Sequence, residues 1–215
     1  MRGPSDSRTK HGCLSRPARS SSAKPPSGPI RTSIPLAPFS AASAATGKGG
    51  DVYGQASGTW RGDALQIDFG VFYEGYASDL QRFWYLRKAG EHGVDPKQQH
   101  AFDTMRDAIR LATELIKPGV RGYEVDEPVR NYVKEQGYTY FHATGHQIGR
   151  MAHDGGLTIG PRNVRYGDRV TGELLPGMCF TLEPCIGDMG IEENIVVTED
   201  GCDWLIAPQT EIYVL

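Results

Sequence analysis

The pattern of apolar and polar positions changes near residue 63. From there, Ala64-Leu65-Gln66-Ile67-Asp68-Phe69-Gly70-Val71-Phe72-Tyr73 reads as a strand, rich in β-branched and aromatic residues. Gly75 to Leu86 reads as a second strand, joined to the first by a tight turn. Asp95-Pro96 then supplies an N-cap and a proline for the first helical position. Phe102, Met105, Ile109, Ala112, Leu115 and Ile116 recur at helical spacing, and Lys117-Pro118-Gly119 ends that helix. A second helix is predicted near Val125–Glu135. Val125, Val129, Tyr132 and Val133 form one face, and Gly137 is the stop. Pro128 must lie in its first turn or kink it. Beyond come Tyr138–Gly149, a Gly-rich loop, and strands at Met178–Ile186, Ile191–Thr198, Trp204–Ile206 and Glu211–Leu215. The order strand, strand, helix, helix, strands predicts an α+β fold with a mostly antiparallel sheet.

The first fifty residues lack this patterning. They hold seven of the fourteen prolines, are dense in serine, and contain few large apolar residues. Such a stretch buries too little surface to offset its ordering entropy. The expectation is a disordered tail over residues 1–58 and a folded region over 59–215. The same stretch is Arg-rich and acid-poor, which also fits an organelle transit peptide, although its prolines oppose the amphipathic helix such a peptide needs. A misassigned start of the reading frame is the third alternative. A cytoplasmic location is expected, an organelle being the alternative.

Charge sharpens this division. The whole chain has 23 Lys+Arg and 26 Asp+Glu. Residues 1–50 hold eight of the basic residues against a single acid, Asp6, so the folded region is distinctly acidic. That excludes a nucleic-acid-binding globule with a basic face. No apolar run approaches the ~18 residues of a membrane span. Four cysteines do not make a disulfide framework, so a reducing compartment is the default. Cys179, Cys185 and Cys202 lack metal-site spacing and are expected in the core.

Hairpin geometry makes the acids informative. A two-residue loop at Gly187-Asp188 would set Glu183 directly opposite Glu192. A loop at Tyr73-Glu74, a poorer turn sequence, would set Asp68 opposite Asp79. Opposed like charges destabilise a sheet. Beside Ile67, Phe69, Phe180 and Leu182 these acids would also be partly buried, which raises their pKa values unless a cation lies between them. Three of the six histidines, His142, His146 and His153, fall within twelve residues among Gly145, Gly149, Gly155 and Gly156. Four carboxylates and one imidazole are oxygen-dominated ligation. That suits two divalent cations such as Mn²⁺, Co²⁺ or Fe²⁺ better than one structural zinc.

Several segments together resemble one family. They are Ile67-Asp68-Phe69-Gly70, Gly75-Tyr76-Ala77-Ser78-Asp79-Leu80-Gln81-Arg82, Gly145-His146-Gln147-Ile148-Gly149, the Pro176–Pro184 stretch and the Ile191–Gly201 stretch. In this order they resemble the M24 or "pita-bread" metallopeptidases, which include methionine aminopeptidase, aminopeptidase P, prolidase and the non-metal creatinase. The resemblance implies an α+β pita-bread fold: a curved, mostly antiparallel sheet with helices on its outer face, here with its first half incomplete. It implies Asp68, Asp79, His146, Glu183 and Glu192 as ligands of two metal ions about 3.5–4 Å apart, Asp79 and Glu192 bridging. Mn²⁺ is the leading metal, with Co²⁺, Fe²⁺ and Zn²⁺ as alternatives. Glu183 would double as general base. His153 would contact the scissile carbonyl or substrate backbone, and His142 would bind substrate and relay protons or simply pack beneath the site.

The implied activity is hydrolysis of the N-terminal peptide bond of peptides, above all Xaa-Pro, because His142 and the His153-Asp154 pair look more like that branch. The alternatives are an inactive truncated or partner-binding homologue and a methionine aminopeptidase-like enzyme. A peptide substrate is the expected partner, without nucleic acid or membrane, and a homodimer is open. The family's helices and early strands before Arg61 have no counterpart here, nor does a substrate-contacting His they carry. Gly190 stands where many members have Arg. Apolar sheet surface is therefore expected to lie exposed.

Overall fold

The computed structural model describes residues 64–187 and 189–215, and the backbone of two dipeptide strands before them. The elements run β1 Pro38–Phe39, β2 Ala44–Ala45, β3 Ala64–Tyr73, β4 Tyr76–Ala77, β5 Leu80–Tyr85, α1 Pro96–Leu115 and α2 Gly122–Glu135. They continue with β6 Gly145–Ile148, β7 Thr158–Ile159, a 3₁₀ turn Gly167–Val170, β8 Cys179–Leu182, β9 Cys185–Ile186 and β10 Met189–Gly190. The last are β11 Glu193–Val197, β12 Cys202–Trp204 and β13 Tyr213–Val214. Apart from β1 and β2, which pair with β3, the reading of residues 1–58 as a tail lies outside the described residues.

Local chemistry sets both helices. The Asp95 side chain accepts from the N–H groups of Lys97 (2.9 Å) and Gln98 (3.3 Å), and Pro96 opens α1. Ile116 is extended, and Pro118-Gly119 follows. α2 starts earlier than the apolar pattern predicts. The Glu124 carboxylate accepts the Arg121 N–H (2.8 Å), half of a capping box, and so begins the helix at Gly122. Pro128 therefore sits inside the helix beyond its first turn, where it has no N–H to offer the Glu124 carbonyl.

The helices pack into one core with the sheets. Phe102, Met105, Ala108, Ile109 and Ala112 of α1 and Val125, Val129 and Val133 of α2 meet Phe83 and Tyr85 of β5, Phe180 and Leu182 of β8, and Ile195 and Val197 of β11. All are buried. Each large side chain so buried contributes about 1.5–3 kcal/mol. Among the described residues, one sheet has the order β1-β3-β5-β13, with β2 and β4 also on β3; a second has the order β12-β11-β8-β6-β7; and β9 and β10 form a two-stranded ribbon. Pairing is antiparallel throughout, as expected, except that β13 runs parallel to β5. The three described cysteines are half-buried rather than inside the core, with Cys185 and Cys202 packed against its margin. Phe69, Val71 and Tyr73, on one face of β3, lie exposed.

The two hairpins treat the sequence expectation differently. In the second, Ile186 pairs with Met189, Cys185 with Gly190, and Leu182 with Glu193, so Glu183 and Glu192 are in line as opposed positions. In the first, Tyr73 pairs with Tyr76 and the turn is Glu74-Gly75, not Tyr73-Glu74. Both turn residues have positive φ (50° and 84°), and the second must be accommodated by a residue without a Cβ. The expected opposition of Asp68 and Asp79 is thereby corrected. Asp68 faces Gln81, and Asp79 lies diagonal to it on the same face.

Candidate metal centre

Asp68 comes from β3, Asp79 from the break between β4 and β5, His146 from β6, and Glu183 and Glu192 from the ends of β8 and β11. Their ligand atoms converge. His146 Nε2 lies 3.5 Å from Glu183 Oε1, 3.9 Å from Glu192 Oε1 and 4.0 Å from Asp79 Oδ2. Three overlapping sets have all ligand atoms within 4.8 Å of one another: Asp68, Asp79 and Glu192; His146, Glu183 and Glu192; and Asp79, His146 and His153. The diagonal register thus brings Asp68 and Asp79 together even though they are not directly opposed.

The supporting contacts explain the convergence. β6 presses so closely on β8 that a Cβ at Gly145 would meet the Thr181 carbonyl oxygen at 1.9 Å. Only glycine lets the next residue, His146, reach the acids. His146 Nδ1 faces the Gln147 carbonyl at 3.3 Å, which turns Nε2 toward the carboxylates. Gln81 and Glu192 exchange backbone hydrogen bonds (3.4 and 3.3 Å) and so join the two hairpins. A buried ion pair reinforces the junction. Arg82 donates to both carboxylate oxygens of Glu193 (3.2 and 3.1 Å) and to the carbonyls of Gln81 (2.9 Å) and Glu192 (3.0 Å). Glu193 is therefore engaged away from the cluster, while Glu192 points into it. At Gly190 a Cβ would meet Gln81 Oε1 at 2.3 Å; the hydrogen-bonded Gln66–Gln81 pair fills the space a side chain there would take.

The electrostatics are those of crowded carboxylates. Burial, then the neighbouring Asp79, pushes Asp68 up to about 6, and burial pushes Asp79 up to about 6. Glu183 is pushed up to about 8 by burial and then by Asp79 and Asp68. Glu192, 1% exposed, rises well above the usual range for the same reasons, with Glu183 added. Burial drives His146 down to about 4, and His153 adds to the effect. Glu192 Oε1 is buried without a hydrogen-bond partner, an orphan acceptor that a cation would satisfy. The hard, oxygen-rich donor set fits divalent cations of the Mn²⁺ class.

The remaining histidines divide. His153 is exposed and stacks on His146 with ring centroids 4.0 Å apart. His142 is outside the cluster. Its Nδ1 lies 2.7 Å from the Ala143 carbonyl and its Nε2 2.7 Å from Cys185 Sγ, two residues beyond Glu183. Sequence reasoning missed Gln81, Arg82, Thr181 and Asn194. For Thr181 and Asn194 a signal existed, since each stands two positions from a glutamate of the cluster and so on the same strand face.

The model of metallopeptidase family M24 matches residues 37–199. The chain belongs to this family. Among M24 relatives, it is 33% identical over 162 residues to the uncharacterized peptidase YqhT of Bacillus subtilis, covering 72% of this chain and 42% of the relative. It is 33% identical over 159 residues to the Xaa-Pro dipeptidase of Pyrococcus furiosus, covering 71% of this chain and 42% of the relative. The crystal structure of the prolidase from Pyrococcus horikoshii superposes with a TM-score of 0.68 at 27% identity, over 81% of this chain and 50% of that one. The fold is the pita-bread fold of M24, and the chain spans about half the length of the relatives it matches. Among the described residues, no helix is long and apolar enough to cross a membrane.

Proposed function

We propose that this chain carries the two-metal centre of a peptidase that hydrolyses the N-terminal peptide bond of peptides, with Xaa-Pro as the preferred sequence. The observation that carries this reading is the buried, unpartnered Glu192 oxygen among three further carboxylates and His146. Such a cluster is costly unless cations neutralise it. Asp68, Asp79, His146, Glu183 and Glu192 would hold two divalent ions, Mn²⁺ first, with Co²⁺, Fe²⁺ and Zn²⁺ as alternatives. Asp79, His146 and Glu192 each belong to two of the three convergent sets; of these the two carboxylates, with two oxygens apiece, would be shared. Bound cations supply Lewis-acid polarisation of the scissile carbonyl and an acidified water.

The chain's own groups do the rest. Glu183 takes the proton of the attacking water and passes it to the leaving amine. His153, exposed beside His146, hydrogen-bonds the scissile carbonyl or the substrate backbone. His142, whose Nε2 lies 2.7 Å from Cys185 Sγ and which belongs to none of the convergent sets, would bind substrate and relay protons or pack beneath the site. The relatives named as Xaa-Pro dipeptidase and prolidase support the choice of substrate.

The test is release of the first residue from Xaa-Pro dipeptides and Xaa-Pro-initiated tripeptides by the purified chain with Mn²⁺, with Asp79→Ala as control. Mn²⁺-dependent release that Asp79→Ala abolishes supports the proposal. Preferential release of N-terminal methionine favours the methionine aminopeptidase-like reading. Metal binding without turnover favours an inactive homologue that serves a partner, and absence of both overturns the proposal.

A further inference from the structure

Behind the two glutamates lies a second cross-strand pair. Asn194 of β11 is registered opposite Thr181 of β8. Each stands two residues from a glutamate ligand, so the pair occupies the same face one step back. Both are buried, Asn194 at 4% and Thr181 at 0% exposure. Neither is spent within the β8–β11 pair, because each side chain reaches sideways to a ligand carried by another element.

Asn194 takes both backbone groups of Asp79. Its Oδ1 accepts the Asp79 N–H (3.3 Å), and its Nδ2 donates to the Asp79 carbonyl. These groups are available for a physical reason. The Ser78 N–H bonds the Val71 carbonyl, and in an antiparallel ladder the next residue turns its N–H and C=O away from that partner. Asp79 therefore faces off β3, where the strand is interrupted, and a side-chain amide replaces the missing neighbour. On the other flank, Thr181 Oγ1 accepts the His146 N–H (3.2 Å).

We propose that the opposed pair Asn194–Thr181 is a positioning layer that fixes Asp79 and His146 against Glu192 and Glu183. The proposal deepens the two-metal reading and rests on it only for its metal-affinity consequence. A small amide and a hydroxyl suit the task. They satisfy backbone groups without adding charge to a crowded acidic cluster, and they tie the carbon skeleton of each ligand rather than its metal-facing atoms. Second-layer hydrogen bonds of this kind typically govern metal affinity by about 10–100-fold.

The experiment compares Asn194→Leu, Asn194→Ala and Thr181→Val with the wild type in two measurements. The first is amide hydrogen exchange of the metal-free chain. Both Asn194 variants should accelerate exchange at Asp79 by roughly tenfold or more while leaving His146 unchanged, and Thr181→Val should do the reverse. The second is Mn²⁺ titration, in which each variant should bind about 10–100-fold more weakly. Unchanged exchange at both amides, acceleration spread evenly over β5, β6, β8 and β11, or wild-type Mn²⁺ affinity would overturn the proposal. The alanine variant removes the amide without crowding, which guards against misfolding from the leucine. If the wild type binds no Mn²⁺, the metal reading fails, while the exchange pattern still decides whether the layer holds the two backbones.

Discussion

Neutralising Glu183 should make the metal-free protein more stable at alkaline pH. Glu183 is held near pKa 8 instead of its usual 4.5, first by burial and then by Asp79 and Asp68. A carboxyl whose pKa rises on folding binds its proton more tightly in the folded state. Its stabilising contribution is full below about pH 4.5 and is lost as pH rises through about 8. At ~1.36 kcal/mol per pKa unit, and with part of the shift shared with neighbouring acids, the loss is about 3–5 kcal/mol. That is a large fraction of the ~5–15 kcal/mol typical of a domain. The assay is urea unfolding of wild type and Glu183→Gln in chelator at several pH values from 5 to 8. The wild type should lose stability across this range, and Glu183→Gln should lose much less and be the more stable protein at pH 8. Saturating Mn²⁺ should close most of that gap, because ligand at a hundredfold to thousandfold excess over Kd returns about 2.7–4.1 kcal/mol to the protein that binds it. Parallel pH profiles for the two proteins in chelator would refute the claim that the cluster is electrostatically strained.

Three further outcomes follow from particular contacts. Arg82→Ala removes a buried guanidinium from Glu193 and from the carbonyls of Gln81 and Glu192, and should cost about 3–5 kcal/mol in urea unfolding; a cost below about 1 kcal/mol would show that the pair does not clasp the hairpins. Gly145→Ala forces a Cβ into the Thr181 carbonyl and should displace β6, with loss of Mn²⁺ binding by titration; wild-type affinity would contradict the close approach. Met105→Ala, fully buried in the core between the helices and the sheets, should lower unfolding stability by about 2–5 kcal/mol and leave Mn²⁺ affinity unchanged, since it belongs to the apolar core cluster.

Much of this molecule is written locally in the chain. Asp95-Pro96 and Lys117-Pro118-Gly119 bound α1 because caps and stops act within one helical turn. The pairing of Ile186 with Met189 sets the second register, and with it the alignment of Glu183 and Glu192, because two residues between paired positions leave one pairing. The five residues that converge, Asp68, Asp79, His146, Glu183 and Glu192, were legible because each sits in its own short motif. The first register was not, because Tyr73-Glu74 and Glu74-Gly75 both fit the hydrophobic pattern, and the distinction lies in which turn position can take positive φ. Nor could the chain alone say that Glu193 would turn to Arg82, that Gln81 would pair with Glu192, or that Asn194 would hold Asp79. Period-two alternation assigns a side chain to a face, but not to the element beside that face. Those neighbours stand more than a hundred positions away along the chain, and only the assembled sheets bring them within hydrogen-bonding distance.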